Sequence, residues 1–186
     1  MKKNYEMQIA GLHRTLPLCP LHDELYIAAF VIFGDPQLTT ACARELLDIA
    51  PPYDYMITAE SKGIPLVHEM ARLAGNQKYF VARKQPKLYM TGVFEVTVHS
   101  ITTEGEQKLY LDQADAALMR EKRVLLVDDV ISTGQSLGAL EKLVTAAGAE
   151  IAGRVCILAE GDAQKRKDIQ YLEGLPLFDK NGDPIA

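Results

Sequence analysis

The segment from Val124 to Ser136 contains residues whose types and spacing could do chemistry. It reads Val-Leu-Leu-Val-Asp-Asp-Val-Ile-Ser-Thr-Gly-Gln-Ser, so an apolar run is followed by two adjacent carboxylates, Asp128 and Asp129, and then by a turn of small residues. Carboxylates in such a place can accept hydrogen bonds from sugar hydroxyls or hold a hydrated Mg²⁺ ion. The segment therefore predicts a polar site where a strand ends.

The turn formed by Ser132, Thr133, Gly134, Gln135 and Ser136 predicts a phosphate site. It opens a helix, and the first turn of a helix has unpartnered N–H groups and a partial positive charge. Such an end can bind an anion without a lysine, while the hydroxyls add donors and the glycine allows close approach. The plain alternative is that the acids end a strand and the turn caps a helix. The full order of the pattern favours the anion site, and it is not a Walker A loop.

Two other segments could contact an anion. Glu60, Ser61, Lys62 and Gly63 lie at a predicted helix start, where a glycine and a cation are close to free N–H groups. The run 83–88, Arg-Lys-Gln-Pro-Lys-Leu, contains three cations in an acidic chain. Arginine can bind phosphate oxygens through two hydrogen bonds, whereas lysine acts as a point charge. Taken alone, the first segment could be a plain helix start and the second a solvated turn.

Two β-α-β units must position these residues. In the first, Asp54–Thr58 is a predicted strand, Gly63–Ala74 has apolar residues at helical spacing, and Lys78–Arg83 is the next strand. Gly75 and Asn76 end the helix. Such a unit implies two parallel strands joined by a right-handed crossover.

The second unit has the clearer pattern. Arg123–Val127 and Ile151–Leu158 are predicted as buried strands, and Gln135–Ala147 as the amphipathic helix between them, with Gly148 as its stop. Alternating strands and helices predict the α/β class, with an open, mostly parallel sheet flanked by helices. In such sheets ligands bind at the carboxyl ends of strands, which is where the predicted site residues lie.

Two regions fall outside these units. Thr91–Ser100 and Lys108–Asp112 are predicted as antiparallel strands of a β-arm, and we expect residues 88–107 to act as a flexible flap. Residues 1–25, with two prolines, are predicted to be irregular and to form a small hood together with the C-terminal segment. We expect residues 1–186 to form one domain, since this length suits a single core.

Composition and charge exclude several classes of protein. The formal net charge of −5 makes general nucleic-acid binding a poor expectation. The longest apolar runs, such as Tyr26–Phe33, are far shorter than the roughly 20 residues that span a bilayer. No apolar signal core follows Lys2 and Lys3. We therefore expect no nucleic-acid partner, no membrane and a cytoplasmic location.

The three cysteines, Cys19, Cys42 and Cys156, form no Cys-x-x-Cys pair. Their odd number and wide spacing argue against a disulfide framework or a zinc site. We expect buried, reduced thiols, as is usual in cytosolic proteins.

The segment Val124–Ser136 resembles the phosphoribosyl pyrophosphate (PRPP) signature of the type I phosphoribosyltransferases. The resemblance implies the type I fold, Mg²⁺ bound with PRPP, a 5-phosphate held by Ser132–Ser136, and ribose hydroxyls facing the catalytic pair Asp128 and Asp129. It also implies a pyrophosphate site, partly shared across a homodimer. The residues implied at that site are Glu60, Ser61, Lys62, Gly63, Arg83, Lys84 and Lys87.

The resemblance implies transfer of ribose 5-phosphate to a purine base in purine salvage. Arg-Lys-x-x-Lys-Leu at 83–88 resembles adenine enzymes and favours adenine, whereas Glu-Ser-Lys-Gly-Ile-Pro-Leu-Val from Glu60 resembles archaeal hypoxanthine-using relatives. Two residues that lie beside the base in the adenine enzymes are different in this sequence. Phe33-Gly34-Asp35 lacks the arginine of the adenine enzymes, and Ser132 replaces their usual alanine. Hypoxanthine, guanine and xanthine therefore stay open.

The implied reaction is attack of a base nitrogen on C1 of the ribose as pyrophosphate leaves, beneath a flap that closes to exclude water. Glu95 and Glu104 in the flap are candidates for proton transfer. A non-catalytic PRPP sensor is the main alternative. The few residues before the first predicted strand leave no room for a DNA-binding domain, and the cations at 83–87 suit turnover. The same cations argue against a pyrimidine such as orotate.

Overall fold

The computed structural model describes residues 2–99 and 106–185 of the chain. In chain order, its regular elements are β1 (Asn4–Ile9), β2 (Leu12–His22), β3 (Leu25–Ala28), α1 (Pro36–Ile49), β4 (Tyr55–Ala59), α2 (Gly63–Ala74), β5 (Phe80–Ala82), β6 (Val93–His99), β7 (Glu106–Asp112), α3 (Gln113–Met119), β8 (Arg123–Ile131), α4 (Gln135–Ala146), β9 (Glu150–Glu160), a 3-10 helix (Gly161–Lys165), β10 (Gln170–Leu175), β11 (Leu177–Phe178) and β12 (Pro184–Ile185). Within the described ranges, no helix is long and apolar enough to cross a membrane.

The central sheet confirms the predicted α/β class. Its five strands follow the order β10-β9-β8-β4-β5, and every neighbouring pair is parallel. Helix α2 has the predicted bounds and ends at Gly75, whose φ of 70° is the left-handed conformation that glycine adopts without strain. Both predicted β-α-β units are therefore present.

The main difference within these units is the length of β8. The predicted strand ended at Val127, but β8 continues to Ile131 because β9 runs beside it and Ile131 aligns with Ala159. Asp128 and Asp129 consequently lie near the end of the central strand β8, and not in the loop after it. A paired backbone fixes these carboxylates more firmly than a loop would.

Two hydrophobic cores cover the two faces of the central sheet. Alternate residues of β8 serve each face: Leu125 and Val127 belong to the core with α1 and α2, while Val124 and Leu126 belong to the core with α4. This alternation follows from the period of two in a strand. Burial on both faces explains why the sequence reads as an unbroken apolar run.

The expectation of an irregular N-terminus is wrong. Strands β1, β2 and β3 continue with β11 and β12 into a second, antiparallel sheet, so the two ends of the chain share one layer. Pro17 and Pro20 are tolerated within β2. The Pro17 carbonyl accepts the Ala29 N–H, and the pairing shifts register between Pro20 and His22. The role of this sheet as a hood stays a prediction.

The predicted β-arm is present as a separate two-stranded sheet of β6 and β7. Leu109 and Leu111 on β7 belong to the core beside α4. The backbone of Arg83 pairs with that of Tyr110, which joins the arm to the edge of the central sheet. Residues 100–105, and Glu104 with them, lie outside the described part of the chain, so the flap at 88–107 stays a prediction.

Candidate active site

A cavity of about 560 Å³ lies at the carboxyl ends of β4 and β8. It is lined by most of the residues predicted from the sequence, and these are Glu60, Ser61, Lys62, Lys84, Asp128, Asp129, Ser132, Thr133, Gly134, Gln135 and Ser136. Of the remaining predicted residues, Gly63, Arg83 and Lys87 do not line it. Segments far apart in sequence thus meet at the edge of the sheet where ligands bind in this class of fold.

The turn after β8 has the geometry of an anion site. Gly134 is the N-cap of α4, with φ 79° and ψ 6°, and no side chain caps the helix start. The first turn of α4 contains no acidic residue. Ser132, Thr133 and Ser136 are exposed and line the cavity together with Gly134 and Gln135 at the helix start. This turn can bind a phosphate group through the helix N-terminus.

The two aspartates form an unequal pair. Asp129 is 4% exposed, whereas Asp128 keeps some exposed surface although protein atoms surround its carboxyl group. The Asp129 N–H donates to Asp128 Oδ1 at 2.9 Å. Burial first, and then the negative charge of Asp129, raise the pKa of the Asp128 carboxyl well above its usual value. Asp128 therefore tends to keep its proton, and a cation or ribose hydroxyls bound beside the pair would favour its ionised form.

Lys62 is the counter-charge of Asp129. Its Nζ lies 3.0 Å from Asp129 Oδ2 and 3.4 Å from the Phe30 carbonyl oxygen, to which it donates. The ion pair lacks hydrogen-bond geometry, so Asp129 Oδ2 is buried without a donor among the described residues. A buried acceptor of this kind suits a ligand hydroxyl or a metal ion.

Gly63 has a packing role at the start of α2, and its predicted contact with pyrophosphate stays a prediction. A Cβ atom there would collide with Thr58 Oγ1 and would lie 3.5 Å from Asp128 Oδ1. The residue is buried at the start of α2. Its lack of a side chain lets the helix start approach the ends of β4 and β8.

Glu60 holds together the ends of β4 and β5. Its Oε2 lies 2.9 Å from Arg83 Nε, and its Oε1 accepts the Lys84 N–H at 2.6 Å. The Glu60–Ser61 peptide bond is cis. Arg83 is thus directed at Glu60 and not at the cavity, which Lys84 does line. The predicted contacts of Arg83 and Lys87 with pyrophosphate stay predictions.

Lys87 lies in the exposed loop that precedes the arm. The Met90 N–H donates to the Lys87 carbonyl at 3.0 Å, which closes a turn in this loop. Leu88 and Tyr89 in the same loop are exposed, Tyr89 by 69%. The loop therefore presents a cation beside two large apolar side chains.

Two residues at the site were not predicted from the sequence. Lys108 on β7 lines the cavity, and its Nζ lies 3.2 Å from Glu95, which had been a candidate for proton transfer. The predicted strand Lys108–Asp112 contained this residue, but nothing local indicated which strand face meets the cavity. Arg166, after the 3-10 helix, lies against Gly134. No spacing rule connects these two positions.

Asp35, in the segment Phe33-Gly34-Asp35, has a structural role. Its side chain caps α1 by accepting the Leu38 N–H, and it pairs with Arg14 Nε at 2.7 Å and Nη2 at 3.1 Å. Arg14 lowers the pKa of the Asp35 carboxyl. This carboxylate therefore joins the second sheet to α1.

A metal ion at this site would need ligands from its substrate. The described residues contain no group of three or more His, Cys, Asp or Glu side chains that could hold a metal ion. Mg²⁺ is usually bound by one or two carboxylates together with phosphate oxygens and water. Asp128 and Asp129 fit that pattern, because they are adjacent and line the cavity beside the phosphate turn.

Comparison with known proteins agrees with this geometry. The model of the phosphoribosyl transferase domain matches residues 50–183. A "Hypoxanthine/guanine phosphoribosyltransferase" of Methanotorris igneus is 38% identical over 163 residues, which cover 83% of this chain and 85% of the relative. One of the same name from Methanococcus voltae is 33% identical over 135 residues, covering 73% of this chain and 68% of the relative.

Solved structures show the same fold. The adenine phosphoribosyltransferase of Thermoanaerobacter pseudethanolicus superimposes with a TM-score of 0.64 at 22% identity, covering 77% of this chain and 84% of that one. The Saccharomyces cerevisiae adenine phosphoribosyltransferase gives a TM-score of 0.60 at 20% identity, with 92% of each chain covered. By its family match, its relatives and its fold, the chain belongs to the type I phosphoribosyltransferase family and is a pentosyl-transferring enzyme.

Proposed function

We propose that the enzyme transfers ribose 5-phosphate from PRPP to a purine base in salvage, giving a nucleoside monophosphate and pyrophosphate. The observation that carries this proposal is one cavity that contains a helix-start phosphate turn, two adjacent carboxylates and two lysines, Lys62 and Lys84. Such a cavity offers donors for two phosphate groups with acceptors for a sugar between them.

The turn Ser132–Ser136 binds the sugar 5-phosphate, and the pair Asp128 and Asp129 accepts hydrogen bonds from the ribose hydroxyls. Ser61, Lys62 and Lys84 then face the pyrophosphate group. A base nitrogen attacks C1 of the ribose, the bond from C1 to the pyrophosphate oxygen breaks, and its electron pair leaves with pyrophosphate. The base nitrogen that attacks gains the sugar, and the base loses a proton.

The carboxylates Asp128 and Asp129 stabilise the transition state more than the bound substrate. Positive charge grows on the ribose ring in the transition state, so nearby negative charge stabilises the transition state more than the ground state. Lys62 lies 3.0 Å from Asp129, and its ammonium group attracts the departing pyrophosphate. Mg²⁺, held by PRPP with Asp128 or Asp129, would neutralise charge on the phosphates.

The purine base is not fixed by the cavity. The curated relatives at 33% and 38% identity are named for hypoxanthine and guanine, while the solved structures named for adenine share under a quarter of their residues with this chain. The adenine preference drawn from the sequence is therefore not confirmed, and hypoxanthine or guanine is as well supported.

We also propose a cytoplasmic homodimer, supported by buried free thiols at Cys42 and Cys156 and by the exposed loop around Leu88. Pairing of that loop with a second copy would bury Leu88 and Tyr89 and bring Lys87 toward the partner's cavity. Light scattering on the purified protein is expected to give the mass of two chains. A fully active protein with the mass of one chain would contradict the dimer.

Pyrophosphate release tests the activity. Wild-type protein is incubated with PRPP, Mg²⁺ and, separately, adenine, hypoxanthine, guanine or xanthine. We expect release with at least one of these purines and none with orotate. Binding of PRPP without release for any base would contradict the proposed activity and favour a sensor.

A further inference from the structure

A guanidinium group lies against the phosphate turn, although Ser132–Ser136 contains no cation. Arg166 follows the 3-10 helix and extends back to α4. Its Nη1 lies 2.5 Å, and its Cζ 3.8 Å, from the position that a Cβ atom would take on Gly134. Arg166 therefore occupies the space that a side chain at the N-cap of α4 would need.

Asp168 fixes the orientation of this guanidinium. Arg166 Nε donates to Asp168 Oδ1 at 3.0 Å, and Nη2 donates to Oδ2 at 2.7 Å. Such a two-bond pairing holds the planar group in one direction. It uses two of the three nitrogens, and the third, Nη1, is the atom directed at Gly134.

Asp168 belongs to a row of side chains with alternating charges, in the order Glu141, Arg154, Asp168 and Arg166. Arg154 Nε on β9 lies 3.8 Å from Asp168 Oδ2 and pairs with Glu141 on α4. Asp168 is thus held between two arginines, and both ends of the line contact α4. This arrangement connects the helix, the strand β9 and the loop of Arg166 beside the turn.

We propose that Arg166 is a positioning residue for the sugar 5-phosphate. It fixes Gly134 in its left-handed conformation, and it adds a positive charge next to the helix start that receives the anion. The side chain is only 30% exposed, so its charge is screened less by water and salt than that of a surface arginine. The inference rests on the proposed function and concerns only the phosphate end of the substrate.

The role predicts separate effects on the two ends of PRPP. We expect Arg166→Met to weaken binding of ribose 5-phosphate about tenfold, measured by titration calorimetry. Pyrophosphate with Mg²⁺ should bind as in the wild type, because its site lies around Ser61 and Lys62. The KM for PRPP should rise by a similar factor, while kcat at saturating PRPP changes little. Arg166→Lys should restore part of the affinity for ribose 5-phosphate.

Lys165→Met is the matched control, since it removes a positive charge one position away that pairs with Asp162 and is 78% exposed. It should bind ribose 5-phosphate like the wild type. Unchanged binding in Arg166→Met would overturn the inference, as would an equal loss of pyrophosphate binding, which would show a general defect. If the wild type bound no ribose 5-phosphate at all, the proposed function would fail and this inference with it.

Discussion

At the scale of single residues, Asp128 lowers the stability of the fold at a position where its carboxylate is needed for the proposed reaction. Burial and the neighbouring Asp129 raise its pKa to about 8, so the folded protein holds this proton more tightly than the unfolded chain does. Stability must then fall as pH rises from the usual carboxyl pKa through that raised value. A site that gathers negative charge for a sugar cation is destabilised near neutral pH until its ligand binds.

Asp128→Asn should therefore stabilise the fold while it reduces turnover. We expect the melting temperature to rise by roughly 2–5 °C at pH 8, and by less at pH 5, where the wild-type carboxyl is already protonated. Differential scanning calorimetry at the two pH values measures this. Asp162→Asn, on the exposed surface, is the control and should show no such pH-dependent gain. A larger gain at pH 5 than at pH 8 would contradict the assignment.

Gly134 and Gly138 provide a matched pair within one helix. Gly134→Ala forces alanine into a left-handed φ and against Arg166, so it should cost about 1–2 kcal/mol of stability and weaken PRPP binding. Gly138 has nothing within 4 Å of its Cβ position, so Gly138→Ala should stabilise the helix by about 0.5–1 kcal/mol. Urea unfolding measures both, and equal effects would argue against the proposed turn geometry.

At the scale of elements, Glu60 sets the relative position of two strand ends. Its carboxylate accepts the Lys84 N–H and pairs with Arg83, so it fixes the backbone from which Lys84 enters the cavity. Loss of these contacts frees the segment that carries Lys84. The positions of Ser61 and Lys84 thus depend on a residue that the sequence had suggested as a direct ligand.

Glu60→Gln should raise the KM for PRPP several-fold and speed hydrogen exchange at the Lys84 amide, because a charge-assisted bond becomes a weaker neutral one. Exchange of the peptide that contains residues 83–85, followed by mass spectrometry, checks the second effect. Glu95→Gln in the arm serves as the control and should leave that peptide unchanged. Unaltered exchange in the Glu60 variant would show that the contacts of Glu60 with Arg83 and Lys84 do not hold this segment in place.

Elements with local periodicity could be predicted from the sequence, and those that depend on distant partners could not. The helix Gly63–Ala74 and the strands around it have their signal in apolar spacing and in Gly75. The second sheet pairs Phe178 with Tyr26, and no residue close to Tyr26 in the sequence predicts that partner. The extra residues of β8 likewise depend on β9. The phosphate turn was readable because its residues are contiguous, whereas the contacts of Lys62 and Arg166 arise only when separate segments meet.

At the scale of the whole molecule, the cavity is lined by residues from the ends of β4 and β8, from β7 and from the start of α4, so ligand binding should stabilise the fold. A ligand at 100 times its Kd adds about 2.7 kcal/mol, which corresponds to a rise in melting temperature of roughly 5–10 °C for a domain of this size. We expect such a rise with PRPP and Mg²⁺, measured by thermal shift. PRPP should stabilise more than pyrophosphate alone, and the reverse order would place the sugar phosphate outside the turn.

Formation of a nucleoside 5′-monophosphate, followed by mass spectrometry, is the decisive measurement. Wild-type protein with PRPP, Mg²⁺ and a mixture of purines is expected to form at least one monophosphate in amounts equal to the pyrophosphate released. Asp129→Asn should keep the fold and form it at least about 100-fold more slowly. An Asp129→Asn variant that turns over like the wild type, or a wild type that binds PRPP and forms no monophosphate, would contradict the assignment of this cavity.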